Sequence, residues 1–236
     1  MEDLTSTFGN SVADSAPVER AAFIRRTYAL LAFAILAFIA VEAFFFASGI
    51  AELVATVVFS GGSIGWLAVL AGFMVISWLS NRWAASDTSS VVQYAGLGVF
   101  IVAEALIFIP LLYIAAYASG DPTVILKAGI VSLGLFGGLT LTVLMTRTDF
   151  SWLGPILAIG GFAALGFIVV SAIFGFTLGN LFAFIMVGFA GSAILYETSN
   201  VLHRFNTKQH VAAALTLFAS VALLFWYVLR IFSSRR

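Results

Sequence analysis

The 236-residue chain contains no cysteine, few charged residues (9%), and only two histidines, His203 and His210, which fall in one loop. The first absence excludes disulfide frameworks and thiolate metal sites, while leaving the compartment open. The scarcity of charge excludes a water-facing globule, because an ordinary soluble domain carries about 25% charged residues. No H-E-x-x-H, Walker loop or G-x-G-x-x-G occurs, so metalloprotease, P-loop and dinucleotide chemistries have no anchor. The 11 Lys and Arg are scattered singly or in pairs, which leaves no nucleic-acid footprint, and a formal net charge of zero names no partner. GGSIG at 61–65 matches G-x-S-x-G, but that motif needs a strand-turn-helix setting, and a membrane serine protease needs a histidine inside the bundle. The chain reads as a non-enzyme without cofactor.

What is abundant is apolar. Hydrophobic residues make up 62% of the chain, 24 of them Phe, and the mean hydropathy is +1.11. Scattered glycines and continuous apolar runs fit helices packed in lipid better than the alternating strands of a membrane barrel. The class expected is an all-α integral membrane protein in a lipid bilayer.

A helix needs roughly 20 apolar residues to cross a bilayer core. Seven runs of that size emerge, at 27–48, 64–80, 92–118, 124–145, 152–174, 181–202 and 210–231. The segment ELVATVVF before SGGS belongs either to the second span or to an interfacial piece. Residues 1–22, which begin with acids and small polar residues and lack the cationic start of a cleaved signal peptide, are expected to form a disordered tail before a single membrane domain over 23–236. Short, polar breaks imply antiparallel neighbours. Small residues four apart, Gly134 with Gly138 and Gly188 with Ser192, are expected to be packing contacts.

Placing the N-terminus in the cytoplasm puts Arg20, Arg25, Arg26, Arg82, Arg147, Arg204 and Lys208 inside, in line with the positive-inside trend. Lys127 then lies outside, as do Arg230, Arg235 and Arg236, which run against the trend.

Three acids fall within the apolar runs. Glu42 lies in the outer part of the first, Glu104 near the middle of the third, and Glu197 toward the inner end of the sixth. A carboxylate in hydrocarbon costs roughly 2.5–3.5 kcal/mol, so each should face the bundle interior. Such a residue either senses protons or knits helices together through hydrogen bonds. Glu42 and Glu104 are candidates for an ion pathway, and Pro110 beside Glu104 suggests a polar notch or a tolerated bend. Glu197, with Arg82 closing the second span at the same end, is a candidate plug; the alternative is an interfacial acid that reaches water. His203 and His210 are expected to be solvated.

FIRRTYALLAF, EALIFIP, TRTDFSWLG and, above all, ILYETSNVLH followed by AALTLFASVALLFWYVLRIF resemble the Bax inhibitor-1 family of seven-span proteins. The likeness runs from about Phe23 to Phe232, and its most specific parts are Tyr196-Glu197 and the turn Asp149 to Ser151. It implies a bundle with the C-terminal helix at its centre and a calcium leak closed by an acid pair and an arginine. The first acid of that pair matches Glu197; the second falls on Ser220, which can hydrogen-bond but cannot share a proton as a carboxylate does. The nearest match to the arginine is Arg82. A one-acid gate and pH sensor of Glu197, Arg82 and Ser220 is therefore expected, with Glu104 and Glu197 as oxygen ligands for the transported Ca²⁺. The serine also resembles the bacterial YccA-like branch, which implies a different role, a non-conducting modulator of the membrane AAA protease FtsH, and a bacterial inner membrane.

Overall fold

The computed structural model describes residues 12–86, 89–121 and 123–234. Among them a 3-10 turn, Val12–Asp14, precedes eight α-helices: α1 (Pro17–Ala47), α2 (Ile50–Ser60), α3 (Gly62–Ala84), α4 (Ser90–Tyr117), α5 (Val124–Thr146), α6 (Leu153–Phe174), α7 (Gly179–His203) and α8 (His210–Ser233). Seven are long and apolar enough to cross a bilayer. The eighth, α2, carries the ELVATVVF segment; its 11 residues rise only about 16 Å at 1.5 Å each, half a hydrocarbon core. It is a helix of its own, turned off α1 by Gly49 at φ +80°, a conformation that glycine adopts without a Cβ penalty.

Short loops make successive spans antiparallel, so each end of the bundle collects alternate termini. The near end holds the start of α1 and the α3–α4, α5–α6 and α7–α8 connections. The far end holds α2, the α4–α5 and α6–α7 connections, and the end of α8. Cross-contacts pin both ends: Phe150 N–H donates to Ser199 Oγ (2.9 Å) at the near end, and Ser234 Oγ donates to Asn180 Oδ1 (2.6 Å) at the far end.

The C-terminal span is the core. α8 packs on α1, α3, α4, α5 and α7 and buries residues all round its circumference, from Val211 and Ala213 through Leu217 and Leu224 to Leu229. A helix apolar on every face has no preferred side to show water. α4 is the next most enclosed, while α6 lies at the edge with long apolar side chains such as Ile159 and Phe162 turned outward. Phe38 of α1, Phe108 of α4 and Phe218 of α8 meet edge-on, with centroids 5.2 Å apart for Phe38–Phe108 and 6.0 Å for Phe38–Phe218. Such geometry adds roughly 0.5–1.5 kcal/mol per pair beyond burial.

Two expectations are corrected here. Residues 1–11 of the expected tail lie outside the described residues, but 12–22 are ordered. Val12 is fully buried and its N–H donates to Phe205 O (2.9 Å). Arg20 Nε donates to Val12 O (3.0 Å), and α1 starts at Pro17, with proline suited to the first helical turn and Glu19 favouring the N-terminal dipole. The small residues Gly134, Gly138 and Gly188 are not at close contacts, for a Cβ added at any of them meets nothing within 4 Å. Among the described glycines the tightest approach is α3 on α4 at Gly96, where an added Cβ would stand 2.7 Å from Ser80 O and 2.8 Å from Ala84 N.

Candidate functional site

Glu197 sits on the last turns of α7 facing the start of α8. Its Oε2 accepts from Asn200 Nδ2 at 3.3 Å, and the Thr216 hydroxyl of α8 lies beside the carboxylate. Ser220, one turn further along α8, is only 7% exposed and donates instead to Thr216 O of its own helix (3.1 Å). Thr216 is the nearer of the two to the carboxylate, although its hydroxyl also donates within α8, to Ala213 O (3.2 Å). Arg82 is not there either. It is exposed at the near end of α3, with its guanidinium carbon 5.6 Å from the Trp78 ring centre. α3 packs on α2, α4, α6 and α8, whereas α7 packs on α5, α6 and α8. The structure therefore does not bring Arg82 to Glu197, and the only ion pair among the described residues is Lys127–Asp121 at 2.8 Å.

The turn Asp149 to Ser151 joins this site through Ser199, two residues beyond Glu197. Asp149 Oδ1 accepts from Ser151 N–H (2.8 Å) and from the Ser199 hydroxyl (3.3 Å). The Ser151 backbone N–H, with the Ser151 and Ser199 hydroxyls and His203 adding to it, holds the Asp149 carboxyl below the usual carboxylate range. The near ends of α6 and α7 are thereby tied together, and the Tyr196 ring closes over Gly154, where an added Cβ would lie 3.1 Å from the ring edge. The histidines are not simply solvated. His203 Nδ1 lies 3.0 Å from Ser199 O, and His210 Nε2 lies 3.2 Å from the Tyr94 hydroxyl.

Beside Glu197 a polar seam runs inward between α1, α5 and α7. Tyr28 faces Thr140 and Thr198. The side-chain oxygens of Thr27, Thr140, Thr198 and Asn200 are buried with no hydrogen-bond partner among the described residues. Buried polar atoms are nearly always satisfied, and the Tyr28 hydroxyl is the nearest group to Thr140 and Thr198.

Glu104 and Glu42 lie deeper. Glu104 is 6% exposed with Oε2 unpartnered, and Glu42 is 7% exposed with both carboxylate oxygens unpartnered. On α4 Glu104 shares a face with Phe100 and Phe108, each one turn away; on α1 Glu42 follows Phe38 by one turn. The Phe38–Phe108 contact therefore lies close to both acids. Pro110 does not break α4, which runs unbroken to Tyr117, although the ring denies the Leu106 carbonyl its helical donor.

Counted along their helices at 1.5 Å per residue, Glu42, Glu104 and Glu197 stand about 8, 20 and 27 Å from the far ends. All three helices pack on α8. Among the described residues no three His, Asp or Glu side chains converge, whereas a resident Ca²⁺ takes about 6–8 oxygens.

A seven-span α-helical bundle, closed around its last helix and carrying acids at three depths, is the class of protein these features define. The particular family follows from comparison with known proteins. The family model described as inhibitor of apoptosis-promoting Bax1 matches residues 20–236, and the chain belongs to that family. It is 30% identical to the Arabidopsis thaliana protein LIFEGUARD 4 over 92% of this chain and 86% of that one, and 27% identical to mouse protein lifeguard 4 over 94% and 89%. It is also 30% identical to the Golgi anti-apoptotic protein of vaccinia virus strain Lister, over 47% of each chain. None of these names is that of an enzyme.

Ser199, Thr216 and Asn200 are the site residues that sequence reasoning missed. For Ser199 and Asn200 the signal was present: T-S-N directly after Glu197 is a run of hydrogen-bonding residues inside an apolar span.

Proposed function

We propose that the chain is a slow cation leak, with Ca²⁺ as the cargo its oxygen chemistry suits best, and that it is not an enzyme. The observation that carries this reading is the ladder of three inward acids around α8, two of them with carboxylate oxygens that no group among the described residues satisfies. An ionised carboxylate without a partner at that depth costs roughly 2.5–3.5 kcal/mol, so each rung holds either a proton or a passing cation. Exchange of one for the other makes flux fall as protons compete. Glu197, bonded to Asn200 and beside Thr216 of α8, stands at the near end of the ladder, where its ionisation acts on the α7–α8 contact and hence on the core helix. Arg82 has no part in this gate. The near end, with its seven Lys and Arg, faces the cytoplasm of a bacterial inner membrane.

Purified protein reconstituted with a Ca²⁺-sensitive dye inside the vesicles tests the reading. Wild type should pass Ca²⁺ in a pH-dependent manner, Glu104→Gln should lower flux by about tenfold for roughly 1.4 kcal/mol of lost cation stabilisation, and Glu197→Gln should flatten the pH profile. Equal flux from all three at every pH removes the leak. Absent flux together with altered substrate turnover by FtsH in the same membrane would favour the modulator role.

A further inference from the structure

Of the nine Lys and Arg among the described residues, only Lys127 and Arg230 sit at the far end, and Lys127 is paired with Asp121. Arg230 has no carboxylate within ion-pair distance among the described residues. It lines two adjoining cavities of about 510 and 440 Å³ that share Gly62, Trp66 and Trp226. The two indoles stack between them, with centroids 5.9 Å apart and planes at 24°. The cavities differ in chemistry. The larger is walled by Val58, Phe59, Pro110, Leu111 and Ile114. The smaller adds the hydroxyls of Ser63, Ser171 and Thr177 to a wall otherwise formed by residues such as Ile168, Phe176 and Leu178, and the Ser171 hydroxyl donates to Ile168 O (2.9 Å). Ser233 Oγ, buried and without a hydrogen-bond partner, lies on the wall of the larger one near Arg230. α3 also begins here, at Gly62, with no side chain capping it, which adds positive potential.

An unpaired guanidinium between an apolar chamber and a hydroxyl-lined one matches a molecule that is anionic at one end and hydrocarbon at the other. We propose that this far-end pair of cavities binds one anionic phospholipid. Its phosphate meets Arg230 and its headgroup meets Ser63, Ser171 and Thr177, while an acyl chain lies against the Trp66–Trp226 pair in the larger cavity. The depth fits: Arg230 is in the last turn of α8, where a span of this length reaches the phosphate layer and tryptophans anchor at the interface. Arginine binds phosphate through a planar fork of donors, so the charge alone does not replace it. None of the three acids lines either cavity, and the proposal does not depend on the leak reading.

Native mass spectrometry of the full chain, released from vesicles of equal phosphatidylglycerol and phosphatidylcholine, tests it. Wild type should retain phosphatidylglycerol over phosphatidylcholine by about tenfold, the equivalent of one charge-assisted hydrogen bond. Arg230→Gln should bring the ratio near one with an unchanged melting temperature, and Arg230→Lys should fall between. Phosphatidylglycerol with a dibrominated acyl chain should quench tryptophan fluorescence more than the matching phosphatidylcholine, and Trp226→Phe should reduce that excess. Equal retention of the two lipids by wild type, or an Arg230→Gln protein as selective as wild type, overturns the proposal. Displacement of the retained lipid by millimolar inorganic phosphate also overturns it, since that marks a free-anion site in which the chain has no part.

Discussion

Gly96→Ala should loosen the protein at one seam. The added Cβ would lie 2.7 Å from Ser80 O, 2.8 Å from Ala84 N and 2.9 Å from Trp83 Cβ. None of these is the end of a flexible side chain, so no rotamer change relieves the clash, and α3 itself must retreat by about 0.7 Å to restore ordinary van der Waals distance. Overpacking of this kind costs typically 1–3 kcal/mol. For a chain of this size each kcal/mol moves the melting temperature by about 2–4 °C, so a fall of about 3–10 °C is expected. Gly98 supplies the control: it is two residues away on the same helix, exposed, and an added Cβ meets nothing within 4 Å. Gly98→Ala gains helix propensity of up to about 1 kcal/mol and should melt at or above wild type. Tryptophan fluorescence during a thermal ramp in detergent reads both variants. Equal melting temperatures for Gly96→Ala and Gly98→Ala would refute the α3–α4 crossing described above.

Phe218→Ala removes a ring that meets both Phe38 and Phe100 and should cost about 3–5 kcal/mol, read as a large fall in melting temperature; a small effect would mean that α8 is not the core. Asp149→Asn should destabilise at neutral pH. The folded carboxyl titrates below its unfolded value of about 3.9, so the stability it contributes is present above that pH and lost as pH falls through the lower, folded value; the wild-type advantage should vanish in acid, and an advantage that persists there would contradict the Ser151 and Ser199 hydrogen bonds. Arg82→Gln should leave the pH profile of Ca²⁺ flux unchanged, since Arg82 lies over Trp78 and away from Glu197; a shifted profile would restore the latch.

The seven spans were legible because each is a long apolar run closed by polar residues, and twenty residues of hydrocarbon length have few alternatives. Two boundaries were not. α1 begins at Pro17, outside the apolar run, where Arg20 bonds the 3-10 turn and Val12 of that turn bonds Phe205 of the α7–α8 loop, contacts between distant parts of the chain that composition does not encode. α2 separates from α1 and from α3 only through glycine backbone angles, at Gly49 and at Gly62 respectively. The acids were identified from their cost in lipid alone. Their partners were not, since Asn200 is a turn away on α7 itself, and Thr216 and Ser220 share one face of α8, so the height at which α7 crosses α8 decides which of them lies beside Glu197. The same holds for Gly134 and Gly138: four-residue spacing marks a face that could pack, and the rotation of α5 about its axis decides whether it does.

The ladder of acids rests on the idea that each rung exchanges a proton for a cation, and binding of Ca²⁺ to such a carboxyl must release that proton. Purified protein in weakly buffered detergent with a pH indicator measures this directly as Ca²⁺ is added. The account predicts proton release that saturates with Ca²⁺ and is diminished in Glu104→Gln and further in Glu42→Gln/Glu104→Gln. Calcium uptake without proton release, or release unchanged in the double variant, would contradict it.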